Sequence, residues 1–77
     1  KRIVNLFKIN KYAKDKETIV VPGKVLGTGL LDKKVNVVAY SISEQAKEKL
    51  KSSGSSYMGL AELLQKNPKG KNVRILG

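Results

Sequence analysis

The sequence has 77 residues, with sixteen Lys and Arg against six Asp and Glu, which leaves a net charge of +10 at neutral pH. It has no cysteine and no histidine, which excludes a disulfide framework and the usual zinc, iron and copper ligand sets. No apolar run approaches the roughly twenty residues that cross a bilayer, and Asn5, Lys8 and Asn10 interrupt residues 3–13, the best signal-peptide candidate. A soluble chain with one small domain, residues 1–77, is expected. At this length a single core supplies little spare stability, and a bound partner would favour the folded state.

The first element expected is an amphipathic helix over residues 3–13. Ile3, Leu6, Phe7, Ile9 and Ala13 recur at three- and four-residue steps, as one buried face requires. At about 100° per residue, Lys1, Lys8, Lys11 and Lys14 fall on one arc of the other side, and no acid interrupts it. Lys1 shows no capping residue, so the sequence reads as starting inside a longer chain.

Thr18-Ile19-Val20-Val21 is a β-branched run suited to a strand, and Pro22-Gly23 is expected to end it. A short extended piece, Lys24-Val25-Leu26, leads into Gly27-Thr28-Gly29. Val35, Val37 and Ala39 alternate with Asn36, Val38 and Tyr40, which predicts a second strand. A helix follows from about Ser43, with Ser43 as N-cap, Ala46 and Leu50 on one face and Gly54 in the C′ position; a capping box of Ser41 and Glu44 is the competing start. Residues 57–66 predict another short helix with Leu60, Leu63 and Leu64 as its stripe, stopped by Asn67-Pro68-Lys69-Gly70. Val73-Arg74-Ile75-Leu76 reads as a terminal strand.

Catalytic patterns fail one by one. A P-loop would need Gly at position 18 and Ser or Thr at position 25, where Thr18 and Val25 stand. A dinucleotide fingerprint opening at Gly27 would need its third glycine at position 32, which is Asp32. Glu44 and Glu48 share a helix face, but Lys47 and Lys51 surround them, so ion pairs are expected there. The serines at 41, 43, 52, 53, 55 and 56 lack an ordinary base and read as caps and turns. Phe7, Tyr12, Tyr40 and Tyr57 are scattered over two helices and a strand, which predicts core packing or snorkelling rather than a base-stacking array.

The basic residues do cluster. Lys1, Arg2, Lys8, Lys11 and Lys14 hold the first fourteen positions without an acid, and Lys24, Lys33 and Lys34 flank the Gly27-Thr28-Gly29 loop. Lys66, Lys69, Lys71 and Arg74 finish the chain, again without an acid, whereas Lys47, Lys49 and Lys51 are interleaved with Glu44 and Glu48. Only Arg2 and Arg74 are arginines, so the balance favours phosphate contact over the bidentate reading of base edges. A polyanion is the expected partner, and the candidate contact residues are Lys1, Arg2, Lys8, Lys11, Lys14, Lys24, Gly27, Thr28, Gly29, Lys33 and Lys34.

Lys24-Val25-Leu26-Gly27-Thr28-Gly29, then Leu31, Val35 and Val37, then Ile42-Ser43, Ala46, Leu50 and Gly54, resemble the long signature of the ribosomal protein fifteen / eighteen-e superfamily. Val20-Val21-Pro22-Gly23 and Asn72-Val73-Arg74-Ile75-Leu76-Gly77 resemble its archaeal and eukaryotic branch, which extends the likeness over essentially the whole chain. The resemblance implies a small α+β unit with an irregular β-β-α superhelical winding, about three helices and short strands. It also implies a structural part in the large ribosomal subunit of the cytoplasm, bound to its RNA and to neighbouring proteins. No cofactor, metal, small-molecule substrate or turnover goes with it. The family carries a basic N-terminal extension that this sequence does not contain. Two alternatives stay open on the residues alone: a module for another polyanion such as a membrane surface, and a small enzyme or an enzyme's accessory domain.

Overall fold

The computed structural model describes residues 2–62 and 73–76. In chain order it contains strand β1 (Arg2–Asn5), helix α1 (Leu6–Tyr12), strands β2 (Thr18–Leu26) and β3 (Asn36–Ile42), helix α2 (Glu44–Ser52), and strands β4 (Ser56–Gly59) and β5 (Val73–Ile75). Residues 60–62 are also helical. The strands lie in the order β1-β2-β3-β4, each neighbouring pair parallel. β5 pairs in parallel with Thr18–Val20 of β2, end to end with β1 along the same edge.

Parallel neighbours need a crossover, and α1 and α2 supply two of them. Both helices bury into the same cluster: Leu6 and Ile9 from α1, Ala46 and Leu50 from α2, against Val4, Ile19, Val21, Val25, Val37 and Ala39 from the sheet. Burial of a side chain such as Leu50 contributes about 1.5–3 kcal/mol. The molecule is a single small α+β domain, and β2, β3 and α2 supply the expected β-β-α order. The α2 boundaries follow the sequence closely. Ser43 Oγ accepts from the Ala46 N–H at 3.2 Å, and Gly54 follows the helix with φ +79°.

Three elements differ from expectation. Residues 3–13 are not one helix, because Arg2–Asn5 pair with Gly23–Leu26 as a strand. Strand geometry turns Val4 into the core and Ile3 out, to 66 % exposure, and the short helix leaves Phe7 54 % exposed. The helical spacing of Ile3 and Phe7 is therefore coincidental; sheet pairing overrides a local pattern that a seven-residue helix cannot stabilise alone.

Pro22-Gly23 does not end the second element either. β2 runs through it, and between Val21↔Ala39 and Lys24↔Ser41 the two residues Pro22 and Gly23 face Tyr40 alone. This is a bulge, one of the few places where a strand accepts a proline.

Finally, residues 56–59 are strand rather than the start of a helix: Val37 pairs with Tyr57 and Val38 with Met58. The helix begins at Leu60, and the rest of the expected stripe, Leu63 and Leu64, lies outside the described residues together with Asn67-Pro68-Lys69-Gly70.

Candidate nucleic-acid interface

The basic residues of the N-terminal third occupy two surfaces, not one arc. Arg2 belongs to β1, while Lys8 and Lys11 belong to α1; Lys14 follows the helix, and Lys1 lies outside the described residues. Lys11 and Lys14 are exposed and Lys8 is half-buried. The Lys11 ammonium sits 5.3 Å from the centre of the Tyr12 ring. The backbone N–H of Lys14 donates to Glu17 Oε1 at 3.0 Å, and Arg74 Nε donates to the same oxygen at 3.0 Å. The Lys14 N–H first, and then Arg74, hold the Glu17 carboxyl below the usual carboxylate range despite its partial burial. Arg74 is thus tied into an ion pair between β5 and the turn before β2.

The glycine loop is built as a packing joint. Gly27 is buried, and a Cβ there would lie 2.7 Å from Gln45 Cγ and 2.8 Å from the Ala46 nitrogen, so the loop lies directly against the start of α2. Gly29 has φ +102°, and a Cβ there would meet Phe7 Cβ at 2.3 Å. Phe7 N–H donates to the Thr28 carbonyl at 3.0 Å, and Lys49 Nζ donates to the Gly29 carbonyl at 2.8 Å. The loop therefore joins the start of α1 to α2, with the Thr28 side chain left exposed. Lys49 does not belong to a merely solvated helix face.

Lys33 and Lys34 part company. Lys33 Nζ turns inward to the Asn10 and Ala13 carbonyls at the end of α1, at 2.6 and 2.7 Å. Lys34 is exposed, and only its backbone is tied down: its N–H donates to Asp15 Oδ1 at 2.9 Å and its carbonyl accepts from the Lys16 N–H. Lys47 pairs with Glu44 at 3.4 Å, as the interleaved charges predict. Ser43 and Ser53 act locally as expected, with Ser53 Oγ donating to the Leu50 carbonyl at 2.9 Å. Ser55 Oγ makes long-range ties instead, accepting from Val35 N–H at 3.0 Å and donating to the Lys33 carbonyl at 3.1 Å.

The second surface is the outer face of the sheet. Ile3 pairs with Lys24 and Lys24 with Ser41, which places these three on one face, while Val4 and Val25 turn to the core on the other. Arg2, Ile3, Gly23, Lys24, Tyr40 and Ser41 line a cavity of about 330 Å³ there. Core packing or snorkelling is expected of the aromatics: among the tyrosines Tyr57 packs against the core, whereas Tyr12 is half exposed and Tyr40 is 65 % exposed. The β3 alternation that puts Val37 and Ala39 inward already places Tyr40 on the opposite face, and that was the usable signal.

A further cavity of about 360 Å³ lies at the carboxyl ends of β3 and β4 and includes Lys47, Tyr57 and Glu62. Lys47 stands over the Tyr57 ring at 6.0 Å, an arrangement that supplies a cation–π contact. Among the described residues, no group of three acidic side chains could hold a metal ion, and no helix is long and apolar enough to cross a membrane.

Residues 3–58 match the family of ribosomal proteins that groups 50S-L15 and 50S-L18e with a 60S counterpart. The chain is similar to the large ribosomal subunit protein eL18 of Thermoplasma acidophilum, 56 % identical over 73 residues that make up 95 % of this chain and 61 % of that protein. The eL18 proteins of Methanoregula boonei and Archaeoglobus fulgidus are each 52 % identical, with 95 % of this chain covering 60 % and 62 % of theirs. The chain thus spans about three-fifths of the length of the curated relatives it matches.

Proposed function

We propose that this chain, which belongs to the ribosomal protein family of 50S-L15 and 50S-L18e, is a structural constituent of the large ribosomal subunit that binds and stabilises its RNA. The contacts are made mainly by lysines on the phosphate backbone. The observation that carries this reading is surface charge left uncancelled. Among the described residues the ion pairs are Glu44–Lys47 and Glu17–Arg74, while Arg2, Lys11, Lys14, Lys24 and Lys34 stand exposed outside them. A folded surface of this kind attracts phosphate without reading sequence. The name of the similar proteins, large ribosomal subunit protein, supports the same assignment and a place in the cytoplasmic ribosome. The role requires no cofactor, small-molecule substrate or turnover; neighbouring ribosomal proteins are expected to share the RNA.

Of the sequence-derived contact set, Arg2, Lys8, Lys11, Lys14, Lys24, Thr28 and Lys34 keep a direct part in this reading, and Lys1 is kept from the sequence alone. Lys33, Gly27 and Gly29 act through the shape of the loop, since their own atoms are occupied by α1 and α2. Titrating fragments of large-subunit RNA with the chain across a salt series tests the proposal. With about five contacts, the logarithm of affinity falls by roughly 3.5–4.5 per tenfold rise in salt, at 0.7–0.9 per contact. An affinity nearly independent of salt contradicts the proposal.

A further inference from the structure

We propose that the groove on the outer face of β1, β2 and β3 holds one unpaired RNA nucleotide, its base lying on the Tyr40 ring beside Ile3 and its phosphates held by Arg2 and Lys24. The inference rests on the RNA-binding reading above and gives that reading a specific ligand.

Four observations converge on it. Tyr40 and Ile3 are 65 % and 66 % exposed and both line one cavity, from β3 and β1 on either side of β2. The Pro22-Gly23 bulge sets Tyr40 alone against two residues of β2, and two of the residues that line the groove with it, Gly23 and Ser41, are small. Among the described residues, those lining the groove include the cations Arg2 and Lys24 and no acid. Arg2 and Lys24 both reach the lining of this groove, from the adjacent strands β1 and β2.

The other tyrosines are committed elsewhere. Tyr12 carries the Lys11 ammonium over its ring and Tyr57 carries that of Lys47, at 5.3 and 6.0 Å; among the described residues Tyr40 carries no cation. An open aromatic face flanked by cations is the arrangement on which unpaired bases stack, and stacking accepts any base because each has a π-face. Recognition of this kind needs no arginine fork on a base edge, which suits a chain with only two arginines. A cavity of about 330 Å³ is also at the small end of ligand sites, sized for a single planar group rather than a duplex.

The test uses two RNA hairpins, one fully paired and one with a single unpaired 2-aminopurine in its stem, titrated with the full chain. The bulged hairpin should bind about tenfold tighter or better, and its fluorescence should be quenched on binding. Tyr40→Ala should abolish both the preference and the quenching while leaving the affinity for the paired hairpin unchanged. Tyr40→Phe, which keeps the ring, should behave as the parent chain, and matching thermal melts of the two variants exclude unfolding as the cause. Equal affinity of the parent chain for both hairpins overturns the nucleotide site and leaves general RNA binding intact. A preference that survives Tyr40→Ala, or a Tyr40→Ala variant with both affinities unchanged because the face docks a protein, overturns it likewise. Failure to bind either hairpin overturns the site and the RNA reading together.

Discussion

The Lys33 ammonium donates to the Asn10 carbonyl at 2.6 Å, across 23 positions of sequence, and a second donation to Ala13 at 2.7 Å completes a clamp on the end of α1. Asp32 N–H adds a third tie, to Asn10 Oδ1 at 3.1 Å. A cation at a helix C-terminus satisfies carbonyls that the helix leaves open and opposes the negative end of its dipole. Lys33→Ala should therefore cost about 1–2 kcal/mol of stability, read as a lower midpoint in urea. Lys34→Ala, which removes an exposed side chain and keeps the backbone bond to Asp15, should change stability by less than about 0.5 kcal/mol. Equal effects would mean that the clamp contributes nothing.

Gly29 gives a second test of the same joint. Its φ of +102° disfavours any side chain, and a Cβ would meet Phe7 Cβ at 2.3 Å. Gly29→Ala should destabilise by about 2 kcal/mol or more. Gly59→Ala is the control, because a Cβ there would meet only Glu62 Oε1 at 3.8 Å. Urea unfolding of both variants compares the two sites directly, and a Gly29→Ala variant as stable as the control would show that the loop is not a fixed joint.

Glu17 predicts a pH dependence whose sign is fixed by its partners. Its carboxylate accepts from the Lys14 N–H and from Arg74, so folding lowers its pKa. A lowered folded-state value means that the stabilisation is fully present above the unfolded value, about 4.3 for glutamate. It is lost as pH falls through the lower folded value. The stability difference between the parent chain and Glu17→Gln should accordingly be constant near neutrality and shrink as pH falls below about 4.3. Urea midpoints of both chains measured from neutral to acid pH check this; a difference that grows in acid would reverse the assignment.

The α2 unit was legible because its signals are local: Ser43 caps three residues ahead, and Ala46 and Leu50 share one turn spacing. β3 was legible for the same reason, through the alternation of Val35, Val37 and Ala39. The N-terminal segment was not, since β1 exists only through pairing with Gly23–Leu26, and no local feature of Ile3 or Val4 announces that partner. The site followed the same division. Exposed charge at Lys11, Lys14 and Lys24 is readable from composition and spacing. The inward turn of Lys33, the grip of Lys49 on Gly29 and the grouping of Arg2 with Tyr40 depend on contacts between distant segments.

The lysines near α1 should carry more of the RNA contact than those of α2, and the structure supplies a clean comparison. Lys11 and Lys14 are exposed with no ion pair among the described residues, whereas Lys47 is half-buried and paired with Glu44 at 3.4 Å. Lys51 is exposed but sits on that same glutamate-bearing helix. The double variants Lys11→Ala with Lys14→Ala, and Lys47→Ala with Lys51→Ala, each remove two positive charges. Long-range attraction therefore drops about equally in both, and only local phosphate contacts distinguish them. The first variant should reduce the salt slope of RNA binding by about 1.4–1.8, two contacts at 0.7–0.9 each. The second should reduce it by well under one contact's worth. Lys33 is left out of the comparison, because its loss would loosen α1 and lower affinity for a structural reason. If the α2 pair flattens the salt dependence as much as the α1 pair, net charge alone holds the RNA and the proposed surface is wrong.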